Sequence, residues 1–199
     1  MNKYFTLSDW ISLLQKLGQA NQKIISPQML TMASGLSPNA ALKAIQRLGK
    51  KGYLIKLYKR TYANKFAPPR LEEIAMIYGR PCYISFESAL ENHGLISQMP
   101  LVLTCATPRK TKNLKTPFGE IVFHHIARQL FNNYKNERGI LWATAEKALL
   151  DYLYINAKAN RSHSLLDELN IAGLNKMRLK KLSRTYPKSV RTHLKKFTD

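Results

Sequence analysis

The chain has 199 residues, of which 32 are lysine or arginine and 12 are acidic, so its formal net charge is +20. Hydrophobic residues make up 45% of the chain, which is enough for packed cores in one domain or in two small ones. No apolar run approaches the roughly 18 residues of a membrane helix, and polar residues interrupt the N-terminus where a signal peptide would be apolar. We therefore expect a cytoplasmic protein without a membrane partner, and nucleic acid is the first partner to consider.

The positive charge is concentrated at the two ends of the chain. Residues 1–70 contain 12 basic residues and one acidic residue, a net charge of +11. Residues 71–150 contain 9 and 7, a net charge of +2, and residues 151–199 contain 11 and 4, a net charge of +7. A basic membrane-surface protein is disfavoured because no basic amphipathic helix with a strong apolar insertion face stands out.

Short helices are predicted at the start of the chain. The first spans about Leu7–Leu17 and has apolar residues at core spacing. Ser26-Pro27 begins a second helix, Gln28–Ala33, and Gly35-Leu36 forms a turn that leads to Ser37. A helix, a tight turn and a further helix at this spacing are typical of a helix-turn-helix.

The helix after this turn is the most informative element. Ser37 is a good N-cap, and Pro38 suits the first helical position because its missing N–H costs nothing there. At about 100° per residue, the predicted core side consists of Ala41, Leu42, Ile45 and Leu48. The opposite arc carries Asn39, Lys43, Gln46, Arg47 and Lys50. These side chains suit base edges and phosphates, so the arc predicts a DNA recognition helix; a solvated helix face is the alternative.

A basic, aromatic hairpin is predicted next. Residues 53–63, YLIKLYKRTYA, read as two short strands joined near Lys59 and Arg60. These two residues and Tyr62 are candidate contacts with DNA, because such a wing usually meets backbone phosphates. Residues 1–67 are thus predicted to form a winged helix-turn-helix that binds double-stranded DNA. Ala67-Pro68-Pro69-Arg70 then predicts a stiff connector.

The rest of the chain mixes helices and strands. Helices are predicted at Leu71–Tyr78, from Ser85 to His93, from Ala145 to about Asn156, and in a basic end from Gly173 that breaks at Pro187. Strands are predicted at Leu101–Thr107 and Glu120–Ile126. The fold class is therefore predicted as α+β, with an N-terminal winged helix-turn-helix followed by a mixed α/β domain at residues 71–199.

Two further basic segments are candidate contacts with phosphates or with an acidic partner. Pro108–Lys115 is predicted to be a polar loop between two strands, and it carries Arg109, Lys110 and Lys112. The basic C-terminal end carries Lys180, Lys181 and Arg184 in a segment that is predicted to be helical. A solvated surface is the alternative for both segments.

The sequence contains no arrangement that indicates an enzyme, a cofactor or a metal site. His124 and His125 are adjacent in a strand, so their side chains point to opposite faces and do not chelate one ion. Cys82 and Cys105 lie far apart without a CxxC motif and are expected to be buried free thiols. Ser85 has no visible activating base, and neither a P-loop nor a GxGxxG motif occurs.

Four segments of the chain, taken in order, carry a resemblance to a known family. They are Tyr83–Pro100 (YISFESALENHGLISQMP), Thr107–Lys110 with Thr116–Gly119, Phe123–Ile126, and Ala143–Asp151 (ATAEKALLD). Each motif alone is weak, whereas the ordered set is fairly specific. Together they resemble the AbiEi family of antitoxins from bacterial abortive-infection systems, over most of residues 25–155. In the wing, Thr61 stands where family members often have glycine.

The resemblance implies an antitoxin with two domains. Its winged helix would repress its own operon by binding inverted repeats in the promoter, as a monomer or as a dimer formed on DNA. Its C-terminal domain, residues 71–199, would neutralise a nucleotidyltransferase-like toxin encoded beside it, directly or indirectly, in phage defence. The resemblance supplies no catalytic residues. His93, Glu146 and Lys147 fall in matched motifs, where packing or a salt bridge explains them as well as function does.

Two other functions stay open at this point. One is a winged-helix transcriptional regulator without an antitoxin role, and the other is an accessory protein of replication or of a nuclease. A nucleotidyltransferase gene next to this one would favour the antitoxin. Weak, sequence-independent DNA binding would favour the accessory role.

Overall fold

The computed structural model describes residues 5–159 and 169–198, which belong to two compact units of mixed α and β structure. The first unit comprises residues 1–70 and 116–118, and the second comprises residues 71–115 and 119–199. The chain passes from one unit to the other after Arg70, next to the proline pair that predicts a connector. Within the described ranges, no helix is long and apolar enough to cross a membrane.

The helices of the first unit begin where the sequence predicts. They are α1 (Leu7–Gln19), α2 (Pro27–Ser34) and α3 (Pro38–Lys50). The hydroxyls of the N-cap residues Thr6, Ser26 and Ser37 each accept a hydrogen bond from the backbone N–H three residues further on. Gly35, with φ at +69°, ends α2 in the left-handed conformation and turns the chain towards α3.

The sheet of the first unit contains the predicted hairpin. Its strands are β1 (Ile24–Ile25), β2 (Leu54–Tyr58) and β3 (Thr61–Asn64), in the order β1-β3-β2 with antiparallel pairing. Lys59 and Arg60 join β2 to β3, as predicted. The turn forms without glycine because Lys59 adopts φ +48° and the Thr61 hydroxyl donates to the Tyr58 carbonyl at 2.6 Å. The short strand β1 was not predicted.

One core assignment in α3 is wrong. Leu42 was predicted to face the core but is 42% exposed. The buried stripe of α3 consists instead of Ala41, Ala44, Ile45 and Leu48. Leu42 lies about 110° from the centre of this stripe on a helical wheel, so it points sideways out of the core. Trp10 and Leu14 of α1 pack in the same core cluster.

The second unit contains a six-stranded sheet and the remaining helices. The strand order is β6-β7-β5-β4-β9-β8, with parallel pairing of β5 to β7 and of β4 to β9. The strands are β4 (Tyr83–Ile84), β5 (Leu103–Thr107), β6 (Lys112–Thr116), β7 (Gly119–His125), β8 (Tyr134–Glu137) and β9 (Ile140–Ala143). The helices are α4 (Leu71–Tyr78), α5 (Phe86–Asn92), α6 (Ala145–Ala159), α7 (Lys176–Ser183) and α8 (Lys188–Thr198).

Helix α6 organises the core of the second unit. Its residues Ala148, Leu149, Tyr152 and Leu153 are buried. The helix contacts α5, α7, α8 and β9, so it connects the sheet to the basic C-terminal helices. These C-terminal helices confirm the predicted helical end and its break at Pro187.

The prediction of a loop over Pro108–Lys115 is wrong. The loop is limited to residues 108–111, and strand β6 follows beside β7. Leu114 is buried while its neighbours Asn113 and Lys115 are exposed, which is the alternation of a strand with one covered face. The high charge of this segment concealed that pattern. Strands β8 and β9 were not predicted either.

Candidate nucleic-acid interface

The exposed face of α3 carries all five residues that the sequence assigns to the recognition helix. All five of these side chains are exposed, namely Asn39, Lys43, Gln46, Arg47 and Lys50. From Asn39 to Lys50 the row extends about 16 Å along the helix axis. The major groove of B-DNA is about 12 Å wide and admits an α-helix. The row thus forms one exposed polar and basic surface that is about three helical turns long.

The charge around α3 is almost entirely positive. Asp9 is the single carboxylate side chain among residues 1–70. Its carboxylate accepts hydrogen bonds from the hydroxyl of Thr6 at 2.6 Å and from the Thr6 N–H at 2.8 Å. These bonds, the hydroxyl bond first, lower the pKa of Asp9. Asp9 is therefore a capping group of α1, and residues 1–70 keep a net charge of +11.

Apolar surface adjoins two of the cations on α3. Lys43 and Arg47 line a cavity of about 270 Å³ together with apolar side chains of Phe5, Trp10 and Leu36. Long basic side chains combine an aliphatic stem with a charged end. The stems of these two residues therefore lie beside apolar surface while their charged ends are exposed to solvent.

The hairpin presents two of its three predicted contacts. Lys59 and Arg60 are exposed at the turn, and the Lys59 ammonium lies 5.5 Å from the centroid of the Tyr58 ring. Tyr62 differs, because it is half-buried and packs against the core of the first unit. Lys56 on β2 is exposed and was not singled out. Its positive charge, three residues before Lys59, was the available signal.

The basic residues of the 108–111 loop and of β6 fall into two groups. Arg109 and Lys110 are exposed in the loop. Lys112 is exposed as a residue, yet its ammonium donates to the Tyr78 carbonyl at 2.5 Å and lies 4.8 Å from the centroid of the Phe123 ring. Lys112 therefore has contacts within its own unit and is a weaker candidate for an external phosphate than its two neighbours.

The C-terminal helices present the third predicted group. Lys180, Lys181 and Arg184 are all exposed. Lys180 and Arg184 line a groove between α7 and α8, whereas Lys181 does not. The structure thus separates residues that the sequence placed in one cluster.

The histidines and cysteines form no metal site in the part of the chain that the structure describes. His124 is half-buried, with its ring 5.0 Å from that of Phe86 in an edge-on arrangement, and His125 is exposed. Cys82 and Cys105 are buried free thiols, as predicted, and burial raises the pKa of the Cys105 thiol. Buried protonated thiols are poor nucleophiles and poor metal ligands.

A buried polar network in the second unit was missed from the sequence. Asp151 of α6 is fully buried, and its Oδ2 accepts hydrogen bonds from the Tyr83 hydroxyl and the Ser85 hydroxyl, both at 2.8 Å. Its Oδ1 accepts from the Lys147 ammonium at 2.5 Å and from the Tyr186 hydroxyl at 2.7 Å. The Lys147 ammonium also donates to the Tyr186 oxygen at 2.5 Å. We call these five residues the Asp151 network.

The Asp151 network joins separate elements of the second unit. Its five residues come from β4 and the residue after it, from α6, and from the segment between α7 and α8, and each is less than 5% exposed. Burial lowers the pKa of Lys147, and the Asp151 charge opposes that shift. Burial first and the Asp151 charge second raise the pKa of both Tyr83 and Tyr186. Because a substrate has no access to these groups, the bond from Ser85 to Asp151 holds the fold rather than activating a nucleophile.

The matched-motif residues His93 and Glu146 also have contacts inside the second unit. The His93 Nε2 lies 2.8 Å from the Ala143 carbonyl. The Glu146 carboxylate accepts a hydrogen bond from the Asn175 N–H at 3.2 Å and lies 3.8 Å from the Arg178 Nε. A hydrogen bond therefore explains His93, and a hydrogen bond with an ion pair explains Glu146.

Comparison of the sequence with models of protein families and with curated proteins gives no match in either case. The functional argument therefore depends on the surfaces of the two units and on the motifs quoted above.

Proposed function

We propose that this chain is a DNA-binding antitoxin that represses its own operon, as members of the AbiEi family do. In this proposal α1–α3 and the β2–β3 hairpin form a winged helix-turn-helix, with α3 as the recognition helix and the hairpin as its wing. The observation that carries the proposal is the exposed row on α3, set in a unit that has one carboxylate side chain for its 12 basic residues.

The residues of the row have distinct expected roles. Arg47 and Lys43 suit the O6 and N7 acceptors of guanine, and Asn39 and Gln46 suit adenine. Lys50, at the C-terminal end of α3, suits a phosphate. Lys59 and Arg60 at the hairpin turn would contact phosphates and position the helix without reading sequence. Further phosphate contacts are proposed for a group of exposed cations in the second unit, namely Arg109, Lys110, Lys180, Lys181 and Arg184.

The antitoxin half of the proposal is supported by the motifs of the second unit. Tyr83 and Ser85 belong to the first matched segment, and Lys147 and Asp151 belong to the last. The structure brings these four side chains together in the Asp151 network. In this proposal the shared motifs encode the fold of this domain rather than an active site. Neutralisation of the toxin, direct or indirect, would then depend on the surface of the second unit.

Growth rescue tests the antitoxin half separately from the DNA half. We expect the adjacent nucleotidyltransferase-like gene, when induced, to arrest growth and the full chain to restore it. A variant with Lys43→Ala and Arg47→Ala should restore growth equally well but fail to repress a promoter reporter, because the proposed base contacts lie on α3. A chain that represses its promoter but never restores growth would instead be a transcriptional regulator without an antitoxin role.

A further inference from the structure

The loop between α5 and β5 exposes apolar side chains on the second unit. Met99 is 81% exposed and Leu101 is 101% exposed, the highest value for a large hydrophobic residue in the described part of the chain. Together with the half-buried residues Val102 and Val122, they line an open hollow of about 490 Å³ beside β5 and β7. We call these four residues the Met99–Leu101 patch.

The core of the second unit holds the chain on both sides of the exposed side chains. Leu95 is buried before them, and Leu103 is buried after them. The Leu95 N–H donates to the Leu90 carbonyl at 2.9 Å, and the Ser88 hydroxyl donates to the Val102 carbonyl at 3.4 Å. A partner would therefore meet a backbone that is already positioned, which reduces the ordering cost of binding.

The patch lies in a stretch of the chain without basic residues. Residues 81–108 contain two glutamates and no lysine or arginine, although the whole chain has 32 of them. Among the described residues that line the hollow, Glu87 is the single carboxylate, and none is a lysine or arginine. Nucleic acid binds chiefly by pairing its phosphates with such cations, so the lining disfavours it.

The shape of the patch indicates a macromolecular partner. A pocket for a small molecule encloses most of its ligand. Leu101 is fully exposed and Met99 nearly so, which means that these side chains project from the surface instead of enclosing a ligand. Exposed apolar side chains that lie together are typical of interaction sites. A partner protein with an apolar recess would bury both of them.

The net charge of the chain distinguishes between two kinds of protein partner. Two copies of this chain, each with a net charge of +20, repel one another. A protein with a net negative charge is attracted to the chain instead, and the apolar patch adds contact at close range. Charge complementarity thus favours a different, acidic protein over a second copy.

We propose that the Met99–Leu101 patch is the docking site of an acidic partner protein, which receives Leu101 and Met99 in an apolar recess. Docking here rests on the proposed function, in which the partner is the nucleotidyltransferase-like toxin, and it makes neutralisation direct. The row on α3 does not take part, so docking does not require DNA. The toxin must have a net negative charge, which its own sequence reveals.

Isothermal titration of the purified toxin into the full chain measures docking. The double variant Met99→Ser with Leu101→Ser keeps the net charge and should weaken binding at least about tenfold, because the leucine is no longer buried in the complex. The matched control, Met32→Ser with Met177→Ser, changes side chains that are 84% and 83% exposed outside the patch, and its effect should be less than about threefold.

Two further readings of the same variants separate apolar docking from charge attraction and from unfolding. The loss in the patch variant should be as large at about 500 mM salt as at about 100 mM, because salt screens charges and not apolar contacts. All four substituted side chains are exposed, so both double variants should keep the melting temperature of the unmodified chain.

Growth rescue separates docking from the proposed function. We expect the patch variant to lose growth rescue but to repress the promoter reporter normally, whereas the control variant should do both. Growth rescue by the unmodified chain without association of the two purified proteins would overturn docking and leave the antitoxin function standing. Association through the patch without growth rescue would support docking and overturn the antitoxin function.

Other results would also overturn docking at the patch. Equal losses in the two double variants would mean that the patch has no special role. A loss that disappears at high salt would assign binding to charge, and a toxin with a net positive charge would remove the complementarity. Sedimentation of the unmodified chain as a dimer, with the patch variant as a monomer, would assign the patch to a second copy.

Discussion

The Asp151 network makes a prediction about stability that can be worked out from its contacts. Lys147→Met removes one partner of an ion pair whose side chains are 1% and 0% exposed. The Asp151 carboxylate then keeps hydrogen bonds from Tyr83, Ser85 and Tyr186, so part of its desolvation remains offset. Loss of one member of a buried pair costs about 3–5 kcal/mol, and we expect about 3 kcal/mol here.

The reciprocal substitution should cost more. Asp151→Leu leaves the Lys147 ammonium buried with the Tyr186 oxygen as its remaining acceptor in the network. It also removes the acceptor of three hydroxyl groups, each worth about 1–3 kcal/mol when left unsatisfied. The lower bounds for the three hydroxyl groups and for the buried pair together give an expected loss of at least about 6 kcal/mol. The double variant has neither charge, so its loss should fall short of the sum of the two single losses by at least about 2 kcal/mol.

Chemical denaturation of the full chain, followed by fluorescence and circular dichroism, measures these free energies of unfolding. Lys188→Met, at an exposed position on α8, is the control and should change stability by less than about 0.5 kcal/mol. Additive losses in the double-mutant cycle would refute the reasoning, because they would show that Lys147 and Asp151 do not stabilise one another.

Three further predictions concern pH and DNA. Burial and the Asp151 charge raise the pKa of Tyr186 above its ordinary value of 10.0, so the unfolded chain loses that proton first. The contribution of Tyr186 to stability therefore falls above about pH 10 by about 1.4 kcal/mol per pH unit. The lowered pKa of Lys147 has the opposite effect, because the unfolded chain holds that proton longer. Its contribution raises stability with increasing pH and ends near the ordinary value of 10.5. Tyr186→Phe should reduce the fall in melting temperature above pH 10.5, whereas Tyr58→Phe, at an exposed position, should not; equal slopes would contradict this assignment. Arg47→Ala should weaken binding to the operator by about 1–3 kcal/mol and relax discrimination at one base pair, and unchanged operator affinity in a gel-shift titration would remove α3 as the recognition helix. Arg60→Ala should weaken binding to every duplex alike and reduce the salt dependence by about one phosphate contact, so a loss confined to the operator would show that Arg60 reads sequence instead.

Local signals in the sequence predicted much of the fold. A serine followed by proline marks the start of both α2 and α3, because the N-cap hydroxyl and the missing N–H act within one turn. The position of the hairpin turn was also a local signal, because Lys59 and Arg60 separate two short runs rich in apolar residues. The five exposed residues of the α3 row followed from helical periodicity alone.

The sequence did not predict features that depend on distant partners. Strand β6 has a single buried residue, Leu114, and becomes recognisable only beside β7. The Asp151 network joins residues from 83 to 186, and Lys147 with Asp151 at a spacing of four was its one local signal. The groove between α7 and α8 likewise depends on the packing of two helices, so composition showed the charge of this segment but not the shape of its surface.

The most direct test of the proposed DNA function is binding of the purified full chain to its own upstream region. A scrambled duplex of equal length and base composition is the comparison, and both are titrated from about 50 to 200 mM salt. We expect the upstream region to be bound at least about 10³-fold more tightly at physiological salt. Equal affinity for both duplexes, with the same steep salt dependence, would contradict the proposal, because the charge of +20 would then be a general nucleic-acid surface.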